Sequence, residues 1–252
     1  MNTFLRDSFI VFNRQLRMNL RNPAWVIIGL MQPILYLLLF GPLLKPLIGQ
    51  FGAANAYTFF VPGMLVQLGL FGAFFAGFSL IGEWREGVIE AERVTPASRT
   101  ALLVGRLARD ILQLLVQAVI LVGLGYVLGM DASVGGMVLG VMLTVLIGGS
   151  CAAASNALAL ATKSEDVMAP VINVVMMPVL LLSGILLPMT IGPDWLERAS
   201  DFMPTRWIVD ATRSMFGGDF GGSEIYWGAT WAFVLFGLAL WWGTATFRKE
   251  DA

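Results

Sequence analysis

The chain has 252 residues, 57% of them apolar and only 13% charged, against the roughly 25% charged residues of an average soluble domain. Its 16 basic and 17 acidic side chains leave a net charge of -1, so it lacks both the polar surface of a water-soluble globule and the positive field that would hold nucleic acid. With no histidine and a single cysteine, disulfide frameworks, clustered Cys/His zinc sites and imidazole-dependent catalysis are excluded.

The first element is predicted over residues 1–22, where Phe4, Leu5, Phe9, Phe12, Leu16 and Leu20 recur at helical spacing among Arg6, Asp7, Arg14, Arg17 and Arg21. The pattern fits an amphipathic helix, either lying in a membrane interface or packed on protein. It does not fit a secretory signal, because charges interrupt the apolar positions and no small-residue cleavage site follows. Six apolar runs then approach the 20 residues that cross about 30 Å of hydrocarbon as helix. They cover residues 24–44, 57–82, 101–130, 134–162, 167–188 and 225–247. The expected fold is an all-α integral membrane protein with six transmembrane helices in a single domain, 1–252. In the third run, Arg106, Arg109 and Asp110 read as a start still at the membrane interface.

Small residues repeat at four-residue intervals: Gly69, Ala73 and Gly77 in the second run, Gly125 and Gly129 in the third, Gly136 and Gly140 in the fourth. Each is a packing seam or simply the glycine common in membrane helices. The fourth run also carries Gly148, Gly149, Ser150, Cys151 and three alanines, which predicts a tightly packed interior helix. Pro33, Pro62, Pro170 and Pro178 are expected to kink or start helices.

Orientation follows from Lys and Arg. With the N-terminus inside, twelve face the cytoplasm (Arg6, Arg14, Arg17, Arg21, Arg85, Arg93, Arg99, Arg106, Arg109, Lys163, Arg248 and Lys249) and four face out (Lys45, Arg198, Arg206 and Arg213). The positive-inside rule therefore places both termini in the cytoplasm.

Two connections carry more than a turn requires. In residues 83–99, Trp84, Val88, Ile89 and Val94 alternate with the densest charges of the chain; this is a short amphipathic helix docking on a cytoplasmic protein or a charged interfacial turn. Residues 189–224 combine Trp195, Leu196, Phe202, Met203, Trp207, Ile208, Val209, Met215 and Phe216 with Pro193, Pro204 and two Gly-Gly pairs, as short helices dipping into the outer interface would. Arg206/Asp210 and Asp210/Arg213 stand at helical spacing and either brace one helix face or solvate it.

Catalytic motifs are missing: no Gly-x-Ser-x-Gly, no His-Glu-x-x-His and no Gly-x-x-x-x-Gly-Lys-Ser/Thr occurs. If ATP drives transport, another polypeptide brings it. The polar residues inside the spans, Gln32, Gln67, Gln113, Gln117, Ser155, Asn156 and Asn173, suit hydrogen bonding between helices better than proton relay. The apolar wall suits a lipidic or amphiphilic cargo.

Across essentially its whole length the sequence resembles the permease subunits of ABC-2 exporters, closest to daunorubicin-resistance-type drug permeases. The resemblance rests on Arg21-Asn22-Pro23 before Gln32-Pro33 and Leu39-Phe40-Gly41. It continues with Glu83-Trp84-Arg85-Glu86-Gly87 through Thr95-Pro96-Ala97-Ser98-Arg99, then Gly105-Arg106, and ends with Leu182-Ser183-Gly184, Leu187-Pro188, Trp195-Leu196, Pro204, Asp210, Arg213 and Gly217. One departure is Val88-Ile89 where relatives more often have Thr-Leu. The resemblance implies a permease with no catalytic site, cofactor or metal of its own, working as two copies with two ABC-type ATP-binding subunits that hold ATP and Mg. It implies a coupling helix using Trp84, Arg85, Glu86, Gly87, Val88, Glu90 and Arg93. Outer re-entrant helices would use Pro188, Trp195, Pro204, Arg206, Asp210 and Arg213, and the first and fifth spans would line the subunit interface. The implied role is export of an amphiphilic drug, antibiotic or lipid-like molecule from the inner membrane; related permeases export polysaccharide or glycolipid. A noncatalytic membrane scaffold is the structurally different reading.

Overall fold

A computed structural model describes residues 3–21, 24–46, 49, 55–93 and 98–249. Asn22, Pro23 and residues 94–97 of the motifs above lie outside the described residues, as do the side chains of Ala73, Glu90, Arg93, Arg99, Arg248 and Lys249.

The described chain is helical, with no strand among the described residues: α1 (Thr3–Arg21), α2 (Ala24–Leu44), α3 (Ala56–Phe74), α4 (Ala76–Arg85), α5 (Val88–Arg93), α6 (Arg99–Val127), α7 (Val134–Thr162), α8 (Glu165–Leu182), α9 (Asp194–Asp201), α10 (Pro204–Gly217) and α11 (Ser223–Lys249). Six stretches are long and apolar enough to cross a membrane: Val26–Leu44, Ala56–Arg85, Thr100–Val127, Val134–Thr162, Glu165–Leu182 and Ser223–Thr246. The six expected spans are thus present in order, with three shifted boundaries. The second is broken at Phe75 and continues through α4 to Arg85, which makes Glu83, Trp84 and Arg85 a last helical turn rather than loop. The third starts at Arg99, where the Ser98 hydroxyl accepts the Ala101 N–H as an N-cap. The fifth stops at Leu182, short of Pro188, because Ser183 and Gly184 turn the chain and Gly184 takes a φ of +68°.

Helix α7 is the central post, packed against α3, α4, α6, α10 and α11. Its small residues permit this. A Cβ on Gly69 of α3 would lie 3.0 Å from the Thr144 carbonyl oxygen, and one on Gly136 would fall on the Met215 carbonyl of α10, inside any contact distance. Gly140 faces Phe216 and Thr212 in the same way, and Gly77 faces Ser155, whose hydroxyl accepts the Gly77 N–H at 3.1 Å. Cys151 and Ala152 are buried on this post. The Gly125/Gly129 pair divides: Gly125 packs on Val61, whereas Gly129 has a φ of +95° with open space around it and serves the turn after α6. The prolines Pro33, Pro62, Pro170 and Pro178 all sit inside helices, together with Pro42. By contrast α8 buries only Met168 and Met176, leaving an apolar face exposed.

The alternation of directions gathers α1, α5 and the α7–α8 turn at one end of the bundle. At the other end lie α9, α10 and the α6–α7 turn.

Candidate functional site

At the α5 end the amphipathic α1 lies along the first half of α6. Gly105 makes the close approach possible, since a Cβ there would sit 2.7 Å from both the Ser8 carbonyl oxygen and the Val11 Cβ. This contact turns inward the charges that the sequence places at an interface: Arg106 is 2% exposed and Arg109 7%. A carboxylate cluster answers them. Arg106 Nη2 donates to Glu83 Oε2 and Glu92 Oε2, both at 2.8 Å. Arg14 Nη2 donates to Glu92 Oε1 at 2.5 Å, and Gln15 Nε2 to Glu83 Oε1 at 2.6 Å. These bonds together join α1, α4, α5 and α6 around one buried guanidinium. Buried charges persist only when paired and hydrogen-bonded in this way. Arg109 Nε stands 2.8 Å from Asp110 Oδ1, and its Nη1 reaches Asn19 Oδ1 at 3.4 Å, adding a second tie between α6 and α1.

The connection from α4 to α5 is a two-residue turn through Glu86 and Gly87, whose φ of +74° suits glycine. Trp84 is half-buried against the core, with Lys163 Nζ 5.9 Å from its ring centroid. Arg85 is exposed and pairs with Glu165 at 3.0 Å, linking α4 to α8. In α5, Ile89 and Glu92 are buried toward the bundle, while Val88 is half-buried and Ala91 exposed. Glu90 and Arg93 belong to α5, but their side chains lie outside the described residues. Of the coupling residues read from the sequence, Trp84, Arg85, Glu86, Gly87 and Val88, whose side chains are described, are not in the ion cluster. The cluster residues Arg14, Gln15, Glu83, Glu92 and Arg106 were missed as a group. A usable signal existed: a charged residue within an apolar run must face protein or water, not lipid.

At the α10 end, Pro188 precedes a short 3-10 turn (Met189–Ile191), Trp195 is exposed on α9 and Pro204 opens α10. Arg206 pairs with Asp201, bonds the Ser200 hydroxyl at 2.6 Å and the Glu197 carbonyl at 3.0 Å, and lies 3.5 Å from Asp210. Both helical pairs expected from the sequence form, Asp210 to Arg213 at 3.6 Å being the second. Arg213 does more: its guanidinium lies 4.0 Å from the Phe59 ring centroid and donates to the carbonyls of Gly184 (2.7 Å), Ile185 (3.1 Å) and Phe59 (3.4 Å). It thus pins α10 to α3 and to the turn after α8. Burial raises the Asp210 carboxyl pKa despite the neighbouring Arg213 and Arg206, and draws Arg213 down to about 10, still charged at neutral pH.

Among the described residues no cluster of three or more metal-ligating side chains forms, and the side-chain interactions at both ends join helices to one another. The family model described as ABC-2 type transporter matches residues 7–216. The chain is 28% identical over 207 residues to the daunorubicin resistance ABC transporter permease protein DrrB1 of Streptomyces coeruleorubidus, covering 79% of this chain and 71% of that protein. It is 26% identical over 201 residues to the putative transport permease ycf38 of Pyropia yezoensis, covering 78% and 69%. To the protein of the same name in Cyanophora paradoxa it is 25% identical over 219 residues, covering 84% and 75%. With six membrane-crossing helices in this order and a family match over most of its length, the chain is a multi-pass transport permease of the ABC-2 type transporter family.

Proposed function

We propose that this permease is the membrane half of an ATP-driven exporter that moves an amphiphilic small molecule out of the cytoplasm or inner leaflet. ATP and Mg would be bound by a separate ABC-type subunit, in two copies, on a pair of permeases in the inner membrane with cytoplasmic termini. The observation that carries the reading is the mounting of α5. Its inner face is fixed by Ile89 and by Glu92 through Arg106, while Ala91 is exposed and Val88 only half-buried. A short helix held rigidly on one side and free on the other is what transmits a push from a docked partner. Because Arg106 also binds Glu83 at the end of the second span and Arg14 binds Glu92, a displacement of α5 reaches α1, α4 and α6 together. The twelve-to-four distribution of Lys and Arg supports the cytoplasmic assignment of this end. The drug-resistance name of one relative and the apolar spans favour a lipophilic cargo.

The test is to purify the permease with its suspected ATPase and measure hydrolysis across a panel of lipids and hydrophobic drugs, for the natural chain and for Val88→Asp with Ala91→Arg. The expected result is stimulation by cargo that disappears in the double variant together with ATPase association, while membrane insertion persists. Equal association and equal stimulation in both would remove α5 as the docking element.

A further inference from the structure

Near the middle of the second span, Gln67 is 1% exposed, and neither its amide oxygen nor its amide nitrogen has a hydrogen-bond partner among the described residues. An amide buried in this way is costly, because both halves of its hydrogen-bonding capacity have been taken from water with nothing in return. Three more glutamines share its surroundings. Gln32 from α2 and Gln113 and Gln117 from α6 line, with Gln67, one pocket of about 190 Å³. These three are already engaged: Gln117 Nε2 donates to the Val26 carbonyl at 3.1 Å, Gln113 Oε1 accepts from Asn19 at 2.8 Å, and Gln32 reaches the Tyr36 hydroxyl at 3.3 Å. Gln67 alone is left over. Glycine leaves room here: a Cβ on Gly29 would lie 2.6 Å from Gln117 Nε2, the end of the side chain that folds across α2. The remaining lining includes Leu68, Phe71 and Phe75.

We propose that this pocket binds the neutral polar end of the cargo, a hydroxyl, carbonyl or amide group that pairs with the Gln67 amide while the lipophilic remainder lies outside. The lining contains no formal charge, so an ammonium or carboxylate would leave water without a counterion, at a cost that a neutral group escapes. The volume is below the roughly 300 Å³ of a site enclosing a whole drug-sized molecule, which restricts it to one end of the ligand. Gly72, Phe75 and Gln113 also line a neighbouring cavity of about 410 Å³ that contains Glu83, Glu86, Arg109 and Asp110. A route from the α5 end to the glutamines therefore runs past the break in the second span at Phe75. The inference rests on the proposed role as a permease for an amphiphile and specifies which part of that molecule is recognised.

The experiment measures binding to the full-length permease in phosphatidylcholine nanodiscs, using three amphiphiles with one dodecyl-length chain: dodecanoyl glycinamide, dodecyltrimethylammonium and dodecanoate. The expected result is that the glycinamide raises Tm and binds with an affinity about tenfold better than either ion. Gln67→Met, which keeps the length of the side chain and removes the amide, is expected to lose that preference, and Gln67→Asn to keep part of it. Equal binding of all three, no binding of any, or an unchanged preference in Gln67→Met would overturn the assignment and leave the pocket to water. No ATPase is present, so the outcome is independent of the drive: a permease that prefers the glycinamide but never stimulates a partner's hydrolysis would refute the exporter reading and leave the pocket assignment standing.

Discussion

The two ends of the bundle both use buried arginine, in opposite ways. Arg106 at the α5 end is held by carboxylates that arrive from residues 14 and 23 positions away, with Arg14 and Gln15 reaching the same carboxylates from 78 and 68 positions away. Arg213 at the α10 end is held mainly by backbone carbonyls and an aromatic ring, and Arg206 by residues four to nine positions away. A carbonyl is fixed in a helix or turn, so the α10 end is a clasp. A carboxylate rides on a side chain and moves with its helix, so the α5 end is a joint whose parts shift together without parting. The difference teaches where motion would enter under the proposed role of α5: the joint would transmit displacement, and the clasp would resist it.

Substitutions sharpen that contrast. The largest effect is expected from Arg106→Ala, which takes the buried cation away from the buried carboxylates of Glu83 and Glu92 and leaves them with the more exposed Arg14 and the neutral Gln15; breaking a buried pair costs about 3–5 kcal/mol, read as loss of folded protein on heating followed by size-exclusion chromatography. The clasp is expected to yield less. Gly136→Val pushes a side chain into the Met215 carbonyl and should cost about 1–3 kcal/mol through overpacking, measured as a lower Tm. Arg213→Ala leaves the Gly184 and Ile185 carbonyls unpaired, at about 1–3 kcal/mol, and Arg213→Lys should recover only part of it because an ammonium lacks the planar fork and the stacking on Phe59. The smallest effect belongs to Arg85→Ala: its partner Glu165 is 41% exposed and the pair is open to water, so Tm should change by the equivalent of less than about 1 kcal/mol. Should Arg106→Ala prove no more damaging than Arg213→Ala, the distinction between joint and clasp would collapse.

Much of this architecture was legible in the sequence because hydrocarbon is a demanding solvent. A run of apolar residues of crossing length has few alternatives, so the six spans, the amphipathic α1 and the small-residue surface of α7 could all be read from pattern. The Arg206/Asp210 and Asp210/Arg213 pairs were legible too, since helical spacing alone makes them neighbours. What pattern could not supply is long-range pairing. Arg106 reads as an interfacial charge until α1 covers it, and nothing local in α6 announces that Glu83 and Glu92 converge on one guanidinium. Gly129 shows the reverse error: its four-residue distance from Gly125 mimics a packing seam, while its backbone conformation serves a turn. The idle amide of Gln67 was equally invisible, because the sequence cannot say which of several intramembrane glutamines finds a helix partner.

The single cysteine gives the central post a chemical voice. Cys151 is buried on α7, and a thiol reacts only when a reagent and water reach it. It should therefore stay silent toward maleimides in this arrangement of the bundle, so cysteines introduced at exposed positions such as Ala91 can be labelled in the natural background. A transport cycle that moves the outer helices around a standing α7 would leave the silence unbroken. A cycle that splits the bundle along that helix would be recorded as a covalent mark on Cys151 itself.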